Sequence, residues 1–323
     1  MSGIKISHFQ KKDSILVIIL TVLVILSCTA LYCAIPSTSL HVSAAENTQE
    51  DNLQTGTETA TLSDADKVEQ TVFNIYISGS DTREETLPES TRSDVNIIAS
   101  INLETHDILL LSTPRDYYVP LSISNGIPDK LTHAGLYGVE VSMDTLEMLY
   151  DINLDYYFRI NFTGFVDIID ALGGIEVESD YEFDAGDYHF NEGINQLDGE
   201  SALVFARERY AFPTGDRQRG KNQIAVIKAI IEKVTSPSIL SSYSSILESV
   251  KDCVDMNIPY DLIVKLIFMQ LSDSQNWNIT TYSVDGTGDS QVPYSMDISV
   301  YVMVPDMSTV EHAKELFRQV AGE

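Results

Sequence analysis

Between Asp13 and His41 the chain carries no charged side chain, and the run from Ile15 to Ile35 is almost wholly apolar. As a helix rising about 1.5 Å per residue, such a run spans roughly 30 Å, the thickness of a bilayer's hydrocarbon core. It predicts a transmembrane anchor over residues 14–36. Val42-Ser43-Ala44-Ala45 has the look of a cleavage site, but the run exceeds the roughly 7 to 15 apolar residues usual in a signal peptide. Lys5, Lys11 and Lys12 precede the span, while Glu46, Glu50 and Asp51 follow it. The positive-inside rule then leaves residues 1–13 in the cytoplasm and everything beyond the span outside. Residues 37–70, rich in Ser, Thr, Glu, Asp and Gln, read as a flexible acidic tether.

The remaining residues, 71–323, alternate between two periods. The segment VFNIYISGS from Val72 reads as a strand entering a turn, and Val95–Asn102, Ile108–Ser112 and Tyr156–Ile160 read as further strands. Met143, Leu146, Leu149 and Tyr150 recur at helical spacing within Val141–Tyr150. A second helix, Phe165–Leu172, stops at Gly173-Gly174, and Ile175 and Val177 begin another strand. Asp198 is placed to cap a short helix ending near Ala206. Ile224, Ile227, Ile231 and Val234 share one face of a helix over Gln223–Val234, whose first turn begins near Arg219. Strand and helix in alternation predict one α/β domain, a central sheet flanked by helices on both faces. Cys28 and Cys33 fall in the apolar run and Cys253 stands alone, so no disulfide framework supports it.

A formal charge of −28 argues against nucleic acid, which demands a broad basic footprint. Within this acidic background, Phe205–Gln223 gathers Arg207, Arg209, Arg217, Arg219 and Lys221 against Glu208 and Asp216. Guanidinium forks grip two phosphate oxygens at once, so the segment suits a small polyanion. The plain alternative is a salt-bridged surface loop. Three other segments, SGSDTR (78–83), RSDVNII (92–98) and STPRDYY (112–118), place charged residues at predicted strand edges, where they can converge on one cleft. His133 and His189 have no second histidine or cysteine at zinc-like spacing and read as structural. No GxSxG accompanies Ser78 or Ser112, which argues against a hydrolase triad.

In this order and spacing, these segments together with FARERY and GDRQRGKNQ resemble the LytR-CpsA-Psr family of cell-wall proteins. The likeness covers the anchor and the chain from about Val72, including KLTHAGLYG (130–138), YYFRINFTGFVDIIDALGGIEV (156–177) and LDGESALVFARER (197–209). RERY followed by GDRQRGKNQ is most similar to the branch associated with capsular polysaccharide.

The resemblance implies a membrane-anchored, outward-facing phosphotransferase. It would join a polyprenyl-pyrophosphate-linked glycopolymer, capsular or teichoic-acid-like, to peptidoglycan by a phosphodiester and release polyprenyl phosphate. By the same resemblance Arg115, Arg207, Arg209 and Arg219, with Arg92 and Gln223, bind the pyrophosphate. Asp81 and Asp94 hold Mg²⁺, or Mn²⁺ in its place, and Asp216 either orients Arg219 or helps activate the acceptor hydroxyl. Asp81, Asp94, Arg115 and Asp216 form the implied catalytic set, while Arg83, Arg217 and Lys221 face water. The family's apolar tunnel makes Ile224, Ile227 and Ile231 candidates for either lipid contact or core. Capsule or wall-polymer assembly proteins are the implied partners. A metal-dependent polyprenyl-pyrophosphate hydrolase and a non-catalytic regulator that binds lipid intermediates are the competing readings.

Overall fold

The computed structural model describes residues 70–82, 86–234, 253–259, 262 and 277–323. The predicted anchor, the tether before Gln70 and Arg83 lie outside the described residues. Among the described residues no helix is long and apolar enough to cross a membrane.

Strand β1 (Val72–Ser80) starts where the alternation starts. It pairs antiparallel with β2 (Val95–Asn102), which pairs antiparallel with β3 (Asp107–Ser112). A small antiparallel pair follows, β4 (Tyr118–Pro120) with β5 (Pro128–Lys130), then the short helix α1 (Leu131–Ala134) and α2 (Val139–Tyr150). Strand β6 (Tyr156–Asn161) returns parallel to β1 and leads directly into α3 (Phe162–Ala171). Two more antiparallel pairs, β7 (Ile175–Ser179) with β10 (Gly193–Leu197) and β8 (Phe183–Ala185) with β9 (Tyr188–Phe190), precede α4 (Gly199–Arg207) and α5 (Asp216–Val234). The chain ends with β11 (Val254–Met256), β12 (Asn278–Ser283), the hairpin β13 (Gly286–Gln291) and β14 (Val300–Pro305), and α6 (Met307–Ala321). The six-stranded sheet runs β11-β6-β1-β2-β3-β12.

Side chains alternate across a strand, so each strand feeds both faces of this sheet. Phe73, Ile75, Ile97, Ala99, Ile108 and Leu110 pack on one face against Ile168 and Leu172 and against Ile224 of α5. Tyr76, Ile98, Leu109 and Leu111 pack on the other against Leu146 and Tyr150 of α2 and Val310 and Phe317 of α6. Helices thus cover both faces, as the alternation predicts. A third cluster, including Ile175, Phe183, Phe190, Phe205 and Val226, seats the small hairpins on α4 and α5.

Local chemistry sets the boundaries. Asn161 caps α3, its side chain accepting from the Gly164 N–H at 2.8 Å, so that helix starts three residues before its apolar period does. It ends at Gly173 and Gly174, both at positive φ; a Cβ on Gly174 would also come within 2.8 Å of the Leu197 carbonyl oxygen. Asp198 caps α4 as predicted, accepting from the Ser201 N–H at 2.9 Å.

The turn between β5 and α2 is fixed by an acid. Asp129 is fully buried; its Oδ1 accepts from His133 Nδ1 and the Lys130 N–H, each at 2.7 Å, and its Oδ2 accepts from the Ser295 N–H at 2.8 Å. Burial alone would raise this carboxyl's pKa, but the hydrogen bonds outweigh it and hold the group below its ordinary value of 3.8. A depressed carboxylate contributes stability above its unfolded pKa and loses it as pH falls through the folded one. Asp129→Asn is therefore expected to cost about 1–3 kcal/mol near neutrality. Urea melts should also show a shallower loss of stability below pH 4 than the wild type shows, because the titrating group is gone.

Candidate functional site

Because β1 and β2 run antiparallel, the exit of β1 and the entry of β2 meet, with Gly79 opposite Val95. The exit of β3 joins them, with Ser112 opposite Ile97, and the parallel β6 ends there too, with Asn161 opposite Ser80. Asp81, Asp94 and Arg115 lie just beyond these strand ends and so share one edge of the sheet. The connection bearing Asp94 is tied down by the Asp94 N–H to Gly79 O (2.8 Å), the Thr91 N–H to Gly135 O (3.1 Å), and Arg159 Nη2 to Pro88 O (2.8 Å). Gly135 must lack a side chain, since a Cβ there would sit 2.3 Å from the Thr91 carbonyl oxygen.

Helices α4 and α5 bring the cations to the same edge. Arg207 is the last residue of α4, and Arg219 sits in the first turn of α5. Behind them lies a cavity of about 630 Å³. Its mouth is lined by Asp81, Asp94, Arg115, Arg207, Arg209, Arg219 and Gln223, and its interior by apolar side chains of the sheet, α3, α4 and α5. Ile75, Ala99, Leu110, Phe165, Val226 and Ile230 are among them. A polar mouth opening on an apolar interior is the arrangement that a charged headgroup on a hydrocarbon tail requires.

Three of the four arginines have an acid beside them. Arg115 Nη1 donates to Asp94 Oδ1 at 2.6 Å, and Nε lies 3.5 Å from Asp116 Oδ2. Arg207 Nη2 lies 3.3 Å from Asp81, and its guanidinium stacks 4.5 Å from the centre of the Phe162 ring. Arg209 stacks on Tyr210 at 4.6 Å and is hydrogen-bonded to its hydroxyl. Arg219 pairs with Asp216 and is itself buried.

Burial lowers the pKa of Arg219, Asp216 opposes that, and the like charges of Arg115 and Arg209 lower it further. For Arg115, burial disfavours the charged form, but Asp94, Asp116 and Asp216 outweigh it and raise the pKa. Arginine stays charged under either shift. The positive charges of Arg115 and Arg209 thus act on the buried Arg219.

The structure sorts the sequence-derived candidates. Asp81, Asp94, Arg115, Arg207, Arg209, Arg219 and Gln223 come together at the mouth. Arg92 is exposed and outside the lining. Asp216 is outside the lining as well and pairs with Arg219. Arg217, expected to face only water, is half-exposed but pairs with Asp285 and donates to Gly286 O at 2.8 Å, fastening the β13–β14 hairpin to α5. Of the candidate isoleucines, Ile227 lines the cavity and Ile224 belongs to the core, while the side chain of Ile231 lies outside the described residues.

His133 is the buried partner of Asp129, and His189 is an exposed partner of Asp184 at 2.8 Å. Among the described residues no three His, Cys, Asp or Glu side chains cluster as metal ligands. Asp116, Phe162 and Tyr210 were not singled out by sequence, although each adjoins or lies within a motif that was: RDYY, INFTGF and RERY.

A family model decides the relationship: the LytR_cpsA_psr family model matches residues 36–316. The chain belongs to the LytR-CpsA-Psr family. Among curated relatives, a Bacillus mycoides (strain KBAB4) protein named polyisoprenyl-teichoic acid–peptidoglycan teichoic acid transferase TagU is 36% identical over 207 residues, covering 64% of this chain and 65% of that protein. An Enterococcus faecalis (strain ATCC 700802 / V583) protein of the same name is 36% identical over 195 residues, covering 60% of this chain and 64% of that protein. The match thus spans less than two thirds of either relative. The crystal structure of B. subtilis TagV is similar at a TM-score of 0.64 and 27% identity, covering 77% of this chain and 97% of that one. TagT bound to LI-WTA is similar at 0.61 and 25% identity, covering 79% of this chain and 92% of that one.

In this LytR-CpsA-Psr domain the crowded guanidiniums should welcome a polyanion. Inorganic pyrophosphate at about 100 times its Kd is expected to add about 2.7 kcal/mol of stability, roughly 5 °C in a thermal melt. Arg219→Ala should abolish most of that shift, which differential scanning fluorimetry would show directly.

Proposed function

We propose that this protein transfers a polyprenyl-pyrophosphate-linked glycopolymer, capsular or teichoic-acid-like, onto a peptidoglycan hydroxyl, forming a phosphodiester and releasing polyprenyl phosphate. The observation that carries the reading is a cavity whose lining gathers four arginines with Asp81, Asp94 and Glu208 and whose interior is apolar. The relatives named as teichoic acid transferases support the reaction class. In this reading the apolar run near the N-terminus anchors the chain, and the site works outside the membrane, where both lipid-linked donor and wall acceptor are found.

The residues divide the work by chemistry. Arg115, Arg207, Arg209 and Arg219 hold the pyrophosphate oxygens, and Gln223, on the same face of α5 as Arg219, adds a polar contact. The acceptor oxygen attacks the phosphorus that bears the glycan; the bridging P–O bond breaks, and its electrons leave on the polyprenyl phosphate. Charge grows on that leaving group, where the fixed guanidiniums lower the barrier without reorganising. Asp216 keeps Arg219 aimed, and the proton of the attacking hydroxyl passes to a mouth carboxylate, Asp81 or Asp94.

Asp81 and Asp94 also fit Mg²⁺, with Mn²⁺ a substitute. Two carboxylates are too few for a site made of protein alone but match an ion that completes its shell with water and substrate phosphate. The ion would neutralise phosphate charge. Asp81, about half exposed and 3.3 Å from Arg207, can exchange that partner for it.

The test is the chain reconstituted in vesicles with a polyprenyl-pyrophosphate glycan, soluble peptidoglycan fragments and Mg²⁺, with products read by mass spectrometry. A glycan–muramic acid phosphodiester is expected, reduced about 10²- to 10³-fold in Arg219→Ala and lost on chelation of Mg²⁺. Phosphorylated glycan and polyprenyl phosphate formed irrespective of acceptor would show a hydrolase instead. Donor bound but left intact would show a binding regulator.

A further inference from the structure

Beside the arginine mouth stands a surface that the donor does not need. The β13–β14 hairpin is joined to the site at two points: the Met303 N–H donates to Asp116 O at 2.7 Å, which makes Tyr117 and Met303 a parallel bridge, and Arg217 Nη2 donates to Gly286 O at 2.8 Å. On this hairpin Tyr301 is 51% exposed. Its ring rests against Gly288 on the facing strand, where a Cβ would come within 2.9 Å of Cε2 and 3.3 Å of the hydroxyl oxygen. Lys130 Nζ lies 6.0 Å from the ring centre and donates to Asp116 at 2.8 Å, and Asp116 in turn adjoins Arg115 at 3.5 Å. One short chain of contacts therefore links an exposed aromatic ring to a guanidinium at the mouth.

We propose that the exposed ring of Tyr301 is the stacking platform for a phosphate-free saccharide unit of the acceptor glycan. This rests on the transferase reading above and assigns the acceptor its place.

Three features select that occupant. The leaving polyprenyl phosphate belongs with the apolar cavity, and in-line displacement brings the acceptor from outside it; Tyr301 is outside the cavity lining. Residues 286–305 contain Asp289 and Asp297 but no lysine or arginine, and the cations beside the hairpin, Lys130 and Arg217, are paired with Asp116 and Asp285, so the hairpin favours a neutral sugar over a phosphate-rich polymer. Finally, Ser290, directly opposite Tyr301 in the strand register, exposes a hydroxyl able to hydrogen-bond saccharide hydroxyls beside a ring that presents an apolar surface to sugar C–H groups. Gly288 and Tyr301 are matched parts: a side chain at residue 288 would displace the ring.

The experiment titrates the full chain with a neutral β-1,4-linked N-acetylhexosamine tetramer by saturation-transfer NMR, then measures transfer to peptidoglycan fragments. Tyr301→Ala is expected to weaken tetramer binding about five- to tenfold. It should raise the KM for acceptor by the same factor, with kcat at saturating acceptor and donor affinity unchanged. Tyr301→Phe, which keeps the ring, should bind as the wild type does, and Gly288→Ala, which retains Tyr301 but shifts its ring, should weaken binding.

Thermal melts of each variant establish that the domain is folded. Tetramer binding indifferent to Tyr301→Ala, or equally damaged by Tyr301→Phe, overturns the platform. Binding of a phosphate-rich polymer instead of the tetramer overturns the choice of acceptor over donor. Tyr301-dependent binding of the tetramer without any transfer overturns the transferase reading and leaves the saccharide platform standing.

Discussion

Arg219 is buried beside the like charges of Arg115 and Arg209, which together with burial lower its pKa, and the domain is arranged to make that tolerable. Asp216 stands against Arg219, and Asp94 and Asp116 against Arg115. Removing one member of a buried ion pair is costly because it strands the other, so the acids are as necessary to the free protein as the arginines are to a bound anion. The fold supplies the crowding. Strand exits at a single sheet edge place Arg115 and the two aspartates, while the end of α4 and the start of α5 place Arg207 and Arg219 from the opposite side.

The cavity behind this cluster has its own physical logic. Side chains bordering empty apolar space forfeit dispersion contacts that a filled core would provide. Here the sheet face that packs Ile97, Ile101 and Ile108 into the core leaves Ile75, Ala99 and Leu110 bordering the cavity as well. An aliphatic chain entering that space restores contacts and removes its own surface from water, contributing about 25 cal/mol per Å² of apolar area buried. In the proposed reading the headgroup and the tail would therefore be recognised by different physics, the first by charge and geometry, the second by area alone.

How much of this was legible in the sequence depended on the kind of signal. The edge of β1 and the Asp198 cap could be read directly, because apolar alternation and capping chemistry are local. Helices α2 and α3 begin two and three residues earlier than their apolar spacing suggests, since Gly138 and the Asn161 cap start them. The hairpin β13–β14 gave no alternation to read: every residue of β13 after Gly286 is exposed, and the partner that defines it is another strand. At the site, charged residues within motifs could be carried over by resemblance, but their allegiance could not. Asp216 showed no partner until Arg219 was seen beside it, Arg217 looked idle until Asp285 lay opposite it, and Ile224 and Ile227 were indistinguishable until the cavity passed beside one of them.

The chain's strong negative charge and its small cationic mouth seem opposed only if attraction must act from a distance. At physiological ionic strength the screening length is about 8 Å, so an approaching polyanion responds to the arginines essentially at contact. Long-range steering of an anionic donor would be weak or adverse with a formal charge of −28. The proposed anchor removes that disadvantage. A lipid-linked donor and a protein held to the same membrane meet at an effective concentration set by the tether rather than by diffusion from bulk. The acidic surface can then keep phosphate-bearing polymer from settling anywhere but the mouth, while a phosphate-free acceptor strand pays no electrostatic penalty beside it.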